Sequence, residues 1–131
     1  MTFDVKDSLL THQKKWAYQK YWVMAHSQAH YNALRFLFKG NDWSMEKVKT
    51  FERLIAEAET ITPTVKTLRT TYQHLWGYFK KSASPAELED YKCLDRTLEE
   101  HPDALLHFLI QMTERYQPIY LINSRLIQEG L

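Results

Sequence analysis

The chain has 131 residues, 44% hydrophobic, 14% aromatic and 25% charged, with only three glycines and four prolines. That is one globular domain able to withdraw about two-thirds of its unfolded surface from water, and not a disordered, collagen-like or linker-rich chain. The formal charge of +1 conceals an asymmetry: residues 1–81 carry 13 Lys and Arg against 7 Asp and Glu, or +6, whereas residues 82–131 carry 4 against 9, or −5.

The start of the chain, Met1-Thr2-Phe3-Asp4-Val5-Lys6-Asp7, has no basic stretch leading into an apolar run, and nowhere do about 18 apolar residues follow one another. The expectation is a soluble cytoplasmic protein with no membrane partner. Leu10, Ala17, Tyr21 and Met24 share one face at helical spacing, which predicts a first helix from near Ser8 to Ala25. Ser27 then caps a second helix ending near Gly40, and Ser44 caps a third in which Val48, Phe51, Ile55 and Ala58 form the buried stripe. Thr62 and Pro63 read as the N-cap and first residue of a fourth helix reaching about Lys81, along which Val65, Leu68, Tyr72, Leu75 and Phe79 recur at three- and four-residue steps. Ser84-Pro85-Ala86-Glu87 has capping-box spacing and opens a fifth. His101-Pro102 and Gln117-Pro118 start the last two helices, or one bent helix, because proline cannot donate inside a helix. No alternation long enough for a strand competes, and there is no internal repeat. The expected fold is all-α, a single compact bundle of six or seven helices over residues 1–131.

Two stretches contain no carboxylate: Ser8 to Asn41, with Lys14, Lys15, Lys20, Arg35 and Lys39, and Thr60 to Ala86, with Lys66, Arg69, Lys80 and Lys81. Local positive fields of this kind attract polyanions even at a net charge near zero, although the same charges also suit a solvated face neutralised by the acidic half. On the fourth helix Lys66, Arg69, Gln73, Trp76, Gly77 and Lys80 fall on one side. Lysine and arginine neutralise phosphates, an indole stacks on an unpaired base, and glycine lets a polymer backbone approach; the combination suits RNA better than a small metabolite. Packing of Trp76 under a neighbouring helix and a close helix crossing at Gly77 are the structural alternatives.

A catalytic constellation is not evident. His26 and His30 are four apart, a spacing two metal ligands share on one helix, but Ser27 reads as a cap between them and no third ligand stands nearby; structural or surface roles are expected. Glu99, Glu100, His101 and Asp103 cluster at a helix boundary, where capping explains them. Cys93 is the sole cysteine, so no disulfide framework and no all-cysteine metal site can be built from this chain alone, and a reducing compartment is implied. A buried, inert thiol is expected there rather than a nucleophile. Glycine-rich phosphate loops, Gly-x-Ser-x-Gly and zinc-protease motifs are missing from the sequence. No catalytic residue, metal or cofactor is therefore assigned.

Lys20-Tyr21-Trp22-Val23-Met24-Ala25-His26-Ser27, followed by Tyr31 and Leu34, together with Gln73-His74-Leu75-Trp76-Gly77-Tyr78-Phe79-Lys80-Lys81, resembles the YbgA family, a bacterial domain of unknown function. The resemblance continues through Ser84-Pro85 to Tyr120-Leu121, with Arg35 where that family commonly has glycine. Domains of this type occur alone or fused behind an iron-sulfur desulfurase domain that removes sulfur from thiouracil-type bases. In the fused form acting on 4-thiouridine in transfer RNA, the YbgA-type part looks like the part that holds the RNA. The present chain lacks the desulfurase cysteines, so the resemblance implies a binding module or a subunit working with a separate catalytic protein.

Two functions follow from these readings. The first is a non-catalytic module for transfer RNA or other structured RNA, in which Lys14, Lys15, Lys20, Arg35, Lys66, Arg69, Lys80 and Lys81 contact phosphates, with Gln73 alongside and Trp76 stacking on or supporting a base. The second is a protein-interaction domain whose basic and acidic halves pair with a partner or with a second copy.

Overall fold

The Asp4 carboxylate accepts the Asp7 backbone N–H at 3.1 Å and so starts α1 (Val5–His26) ahead of the expected Ser8. The computed structural model describes residues 2–131 and is all-α. Ser27 ends α1 with extended backbone and caps α2 (Gln28–Leu37) by accepting from the His30 N–H at 3.1 Å. α2 stops short of Gly40, whose φ of 80° instead turns the loop that follows. Ser44 caps α3 (Met45–Ala58) as expected, accepting from the Lys47 N–H at 3.2 Å.

α4 (Val65–Trp76) departs from the expectation at both ends. Its cap is Thr64 and not Thr62, because Thr64 and Thr67 satisfy each other's backbone N–H groups, at 3.1 and 2.9 Å. It gives way at Gly77 to successive tight turns, with Tyr78 N–H on the Leu75 carbonyl at 3.1 Å and Phe79 N–H on that of Trp76 at 2.9 Å. These three-residue bonds keep Phe79 in register with the apolar stripe although the α-helix has ended. α5 (Pro85–Arg96) opens on the Ser84–Glu87 capping box. α6 (Pro102–Tyr116) runs to Gln117, which takes a left-handed φ of 57° and throws the chain into α7 (Ile119–Ile122) and α8 (Arg125–Glu129). Six helices of ten or more residues make the expected all-α bundle, and the two short ones complete its C-terminal end.

The stripe Leu68, Tyr72, Leu75 and Phe79 is buried, as expected, and forms the central wall. α1 packs against one side of α4, and α6 against the other; α2, α3 and α8 surround α1, while α5 rests mainly on α6. Burial along α1 is continuous from Tyr21 to His26, whereas Leu10 is exposed, contrary to its place on the expected buried face, because the early turns of α1 direct Ser8 and His12 onto Trp43 and Phe51 instead. Two imidazoles hold chain crossings: His26 Nδ1 donates to the Ile61 carbonyl at 2.7 Å, and His30 lies between Ser27 and the Glu57 carboxylate at 2.9 Å. The two rings are thus engaged separately. Among the described residues no helix is long and apolar enough to cross a membrane.

Candidate nucleic-acid interface

Where α1 meets the end of α4, Tyr21 and Tyr78 place their hydroxyl oxygens 2.8 Å apart with the rings edge to face. Burial first, then the bond to Tyr78 and the nearby Tyr31 and Tyr120, hold the Tyr21 hydroxyl far above the ordinary tyrosine range. It stays protonated. Lys80 and Lys81 follow Tyr78 in the same run of turns, so this contact draws the end of the second carboxylate-free stretch towards the middle of the first.

The adjoining Lys20 ammonium lies 5.3 Å from the centroid of the Tyr21 ring. Its pKa is lowered by partial burial and by the charge of Arg35, which α2 carries across the helix junction. Like charge on α1 and on α2 thus bears on one helix junction. Ion pairs among the described residues use His30, Lys47, Arg53, Arg69, Arg115 and Arg125. None of them uses Lys14, Lys15, Lys20, Arg35, Lys39, Lys66, Lys80 or Lys81.

Two grooves open along α1 and α2. One, of about 270 Å³ between α1 and α7, is lined by Lys14, Ala17, Tyr18, Ile119, Tyr120 and Asn123. The other, of about 200 Å³ along α2, is lined by Asn32, Arg35, Phe36 and Lys39, with the Lys39 ammonium 5.8 Å from the Phe36 ring centroid.

The expected cationic stripe of α4 is interrupted at Arg69 and Trp76. Arg69 donates through Nε to the Asp95 carboxylate at 3.2 Å and through Nη2 to the Asp95 carbonyl at 3.1 Å, so its guanidinium ties α4 to α5. Trp76 is 6% exposed and stacks on Tyr91 at 4.4 Å with a 5° interplanar angle. Its indole packs under α5 and α6 and offers no face to a base. Gln73, Lys66, Lys80 and Lys81 remain exposed, but Lys66 stands about 18 Å along the helix axis from the Tyr78 end. A Cβ on Gly77 would meet the His74 carbonyl of its own turn at 3.1 Å, so no helix crossing accounts for this glycine.

Cys93 is exposed and not buried as expected, with Arg96 Nη2 3.1 Å from Sγ. It lines, with Asp90 and His107, a shallow groove between α5 and α6. At the α6 start His101 is the cap residue without a side-chain cap hydrogen bond, so of the acidic cluster there only Asp103, in the first turn, meets the helix dipole. The tyrosines around Lys20 carry no motif that marks them in the sequence; the one signal is eight tyrosines in the chain, with Tyr18 and Tyr21 set among the lysines of α1.

No curated protein and no solved structure matches the chain. A family model described as "Protein of unknown function (DUF1722)" matches residues 20–129, which takes in Lys20, Arg35, Tyr78 and Tyr120. With most of its length inside that match, the chain belongs to the DUF1722 family, to which YbgA-like proteins also belong.

Proposed function

We propose that the protein is a non-catalytic, cytoplasmic RNA-binding module, with transfer RNA as its preferred class, acting alone or beside a separate iron-sulfur desulfurase. The observation that carries this reading is the set of cations without carboxylate partners, centred on the Lys20–Arg35 pair. Holding two cations together with no counter-ion costs free energy in the unliganded protein, and a phosphodiester removes that cost when it binds. Lys14, Lys15, Lys80 and Lys81 extend the positive field to either side. Arg69 and Trp76 have no part in it.

Replacing Lys14, Lys20, Arg35 and Lys80 together by glutamine tests the reading. Transfer RNA affinity should fall, and the log–log salt slope should flatten by roughly 0.7 to 0.9 for each phosphate no longer neutralised. A folded variant that binds as tightly as the parent at low salt sinks the proposal.

Exposed Glu89, Asp90, Glu99, Glu100 and Asp103 favour a second reading, in which the acidic side pairs with a basic protein surface or with another copy. Association that survives nuclease treatment identifies that case.

A further inference from the structure

We infer that the α1–α7 groove takes one unpaired base of an RNA segment whose phosphate rests on the Lys20–Arg35 pair, so that the protein selects single-stranded over duplex RNA. The inference rests on the RNA-binding reading above and replaces the base stacking that buried Trp76 cannot provide.

Ile119 and Tyr120 are 76% and 61% exposed, a large apolar surface to leave in water. They are held out from the bundle by a four-residue helix entered through left-handed Gln117 and Pro118. The facing wall is α1, where Ala17 leaves depth between Lys14 and Tyr18. The Tyr18 hydroxyl donates to Glu129 at 2.9 Å, which anchors that ring. Asn123 donates one amide hydrogen to the Ile119 carbonyl at 3.3 Å and keeps its own carbonyl oxygen for the exocyclic amino group of a base. Lys14 has no carboxylate partner at the groove.

Continuity with the cation pair decides the occupant. Tyr21 stands one turn beyond Ala17 and Tyr18 on the groove-lining face of α1, and its ring carries the Lys20 ammonium at 5.3 Å. A ligand that leaves the groove on that side therefore meets two cations, which suits a phosphodiester and not an apolar peptide. Beyond them Phe36, 68% exposed, stands beside Arg35 and Lys39. Exposed aromatic rings alternating with unpaired cations are the pattern that tracks a single strand, because stacking needs a free base face that a duplex keeps in its own stack.

The test is fluorescence anisotropy with a short labelled RNA single strand and with the same sequence annealed to its complement. The single strand should bind the parent more tightly than the duplex. Tyr120→Ala should weaken single-strand binding by about 5- to 150-fold with an unchanged salt slope, because stacking releases no counterions, and Tyr120→Phe should retain binding. Lys20→Gln should weaken both forms and flatten the slope. If Tyr120→Ala, folded by circular dichroism, binds the single strand as the parent does, or if the parent holds duplex and single strand equally, the groove assignment is overturned. The RNA reading then still stands, provided the four-cation variant binds more weakly than the parent. A parent protein that binds transfer RNA but neither short form overturns the groove assignment alone, and one that binds none of the three overturns both.

Discussion

The Arg125 guanidinium carbon lies 3.8 Å from the centroid of the Trp22 ring, which also stacks on His26. The same fork donates to Gln19 at 2.9 Å, to Glu59 at 2.9 Å and to Glu129 at 3.0 Å. One side chain of the five-residue α8 thereby joins α1 and the end of α3. Arg125→Lys keeps the charge and loses the planar fork and its stacking. We expect a loss of about 1 to 3 kcal/mol in urea unfolding, and an unchanged midpoint would show that the charge alone suffices.

Leu75 is fully buried in the α4 wall between α1 and α6. Leu75→Ala should cost about 2 to 5 kcal/mol, as deletions in close-packed cores do. Phe36→Ala, at an exposed ring, should stay within about 0.5 kcal/mol of the parent. Chemical denaturation of the pair measures how far burial, and not side-chain size, governs stability here.

Glu87 accepts from the Tyr116 hydroxyl at 2.6 Å, from the Ser84 backbone N–H at 2.9 Å and from the Arg115 guanidinium. Led by the Tyr116 bond, these partners lower its pKa from an ordinary 4.5 to about 2. A carboxyl with a depressed folded value binds protons more readily when unfolded, so its stabilisation is complete above about pH 4.5 and is lost as the pH falls towards 2. Glu87→Gln should lower stability at neutral pH and flatten the acid limb of the stability profile over that window. An acid limb identical to the parent's would refute the assignment.

Trp76 should report on stability and not on RNA binding. Trp76→Ala removes a stacked, buried indole and should cost about 3 to 5 kcal/mol of stability, whereas Trp76→Phe should leave transfer RNA affinity where it was. Reduced affinity in a stable Trp76→Phe protein would return the indole to the interface.

What the sequence reveals of this fold is what is settled over three or four residues. Ser44, Ser84 with Glu87, and Pro102 mark helix starts because a cap and its partners lie within one turn. The end of α4 is hidden because Phe79 keeps the apolar period after the helix has turned into tight bends. Arg69 and Trp76 fall on the solvent side of a helical wheel because a wheel identifies one apolar face, and α4 has neighbours on two sides. The Lys20–Tyr21–Tyr78 cluster joins residues 57 apart in sequence, and no local pattern announces such a meeting.

α5 buries a single residue, Glu87, among the described residues, and otherwise leans on α6 and on the Trp76–Tyr91 stack. Such a helix should open as a unit well before the whole domain does. In native-state hydrogen exchange its amides should lose protection at a lower free energy than those of α4 and α6, and each opening should briefly uncover the indole that Tyr91 keeps covered.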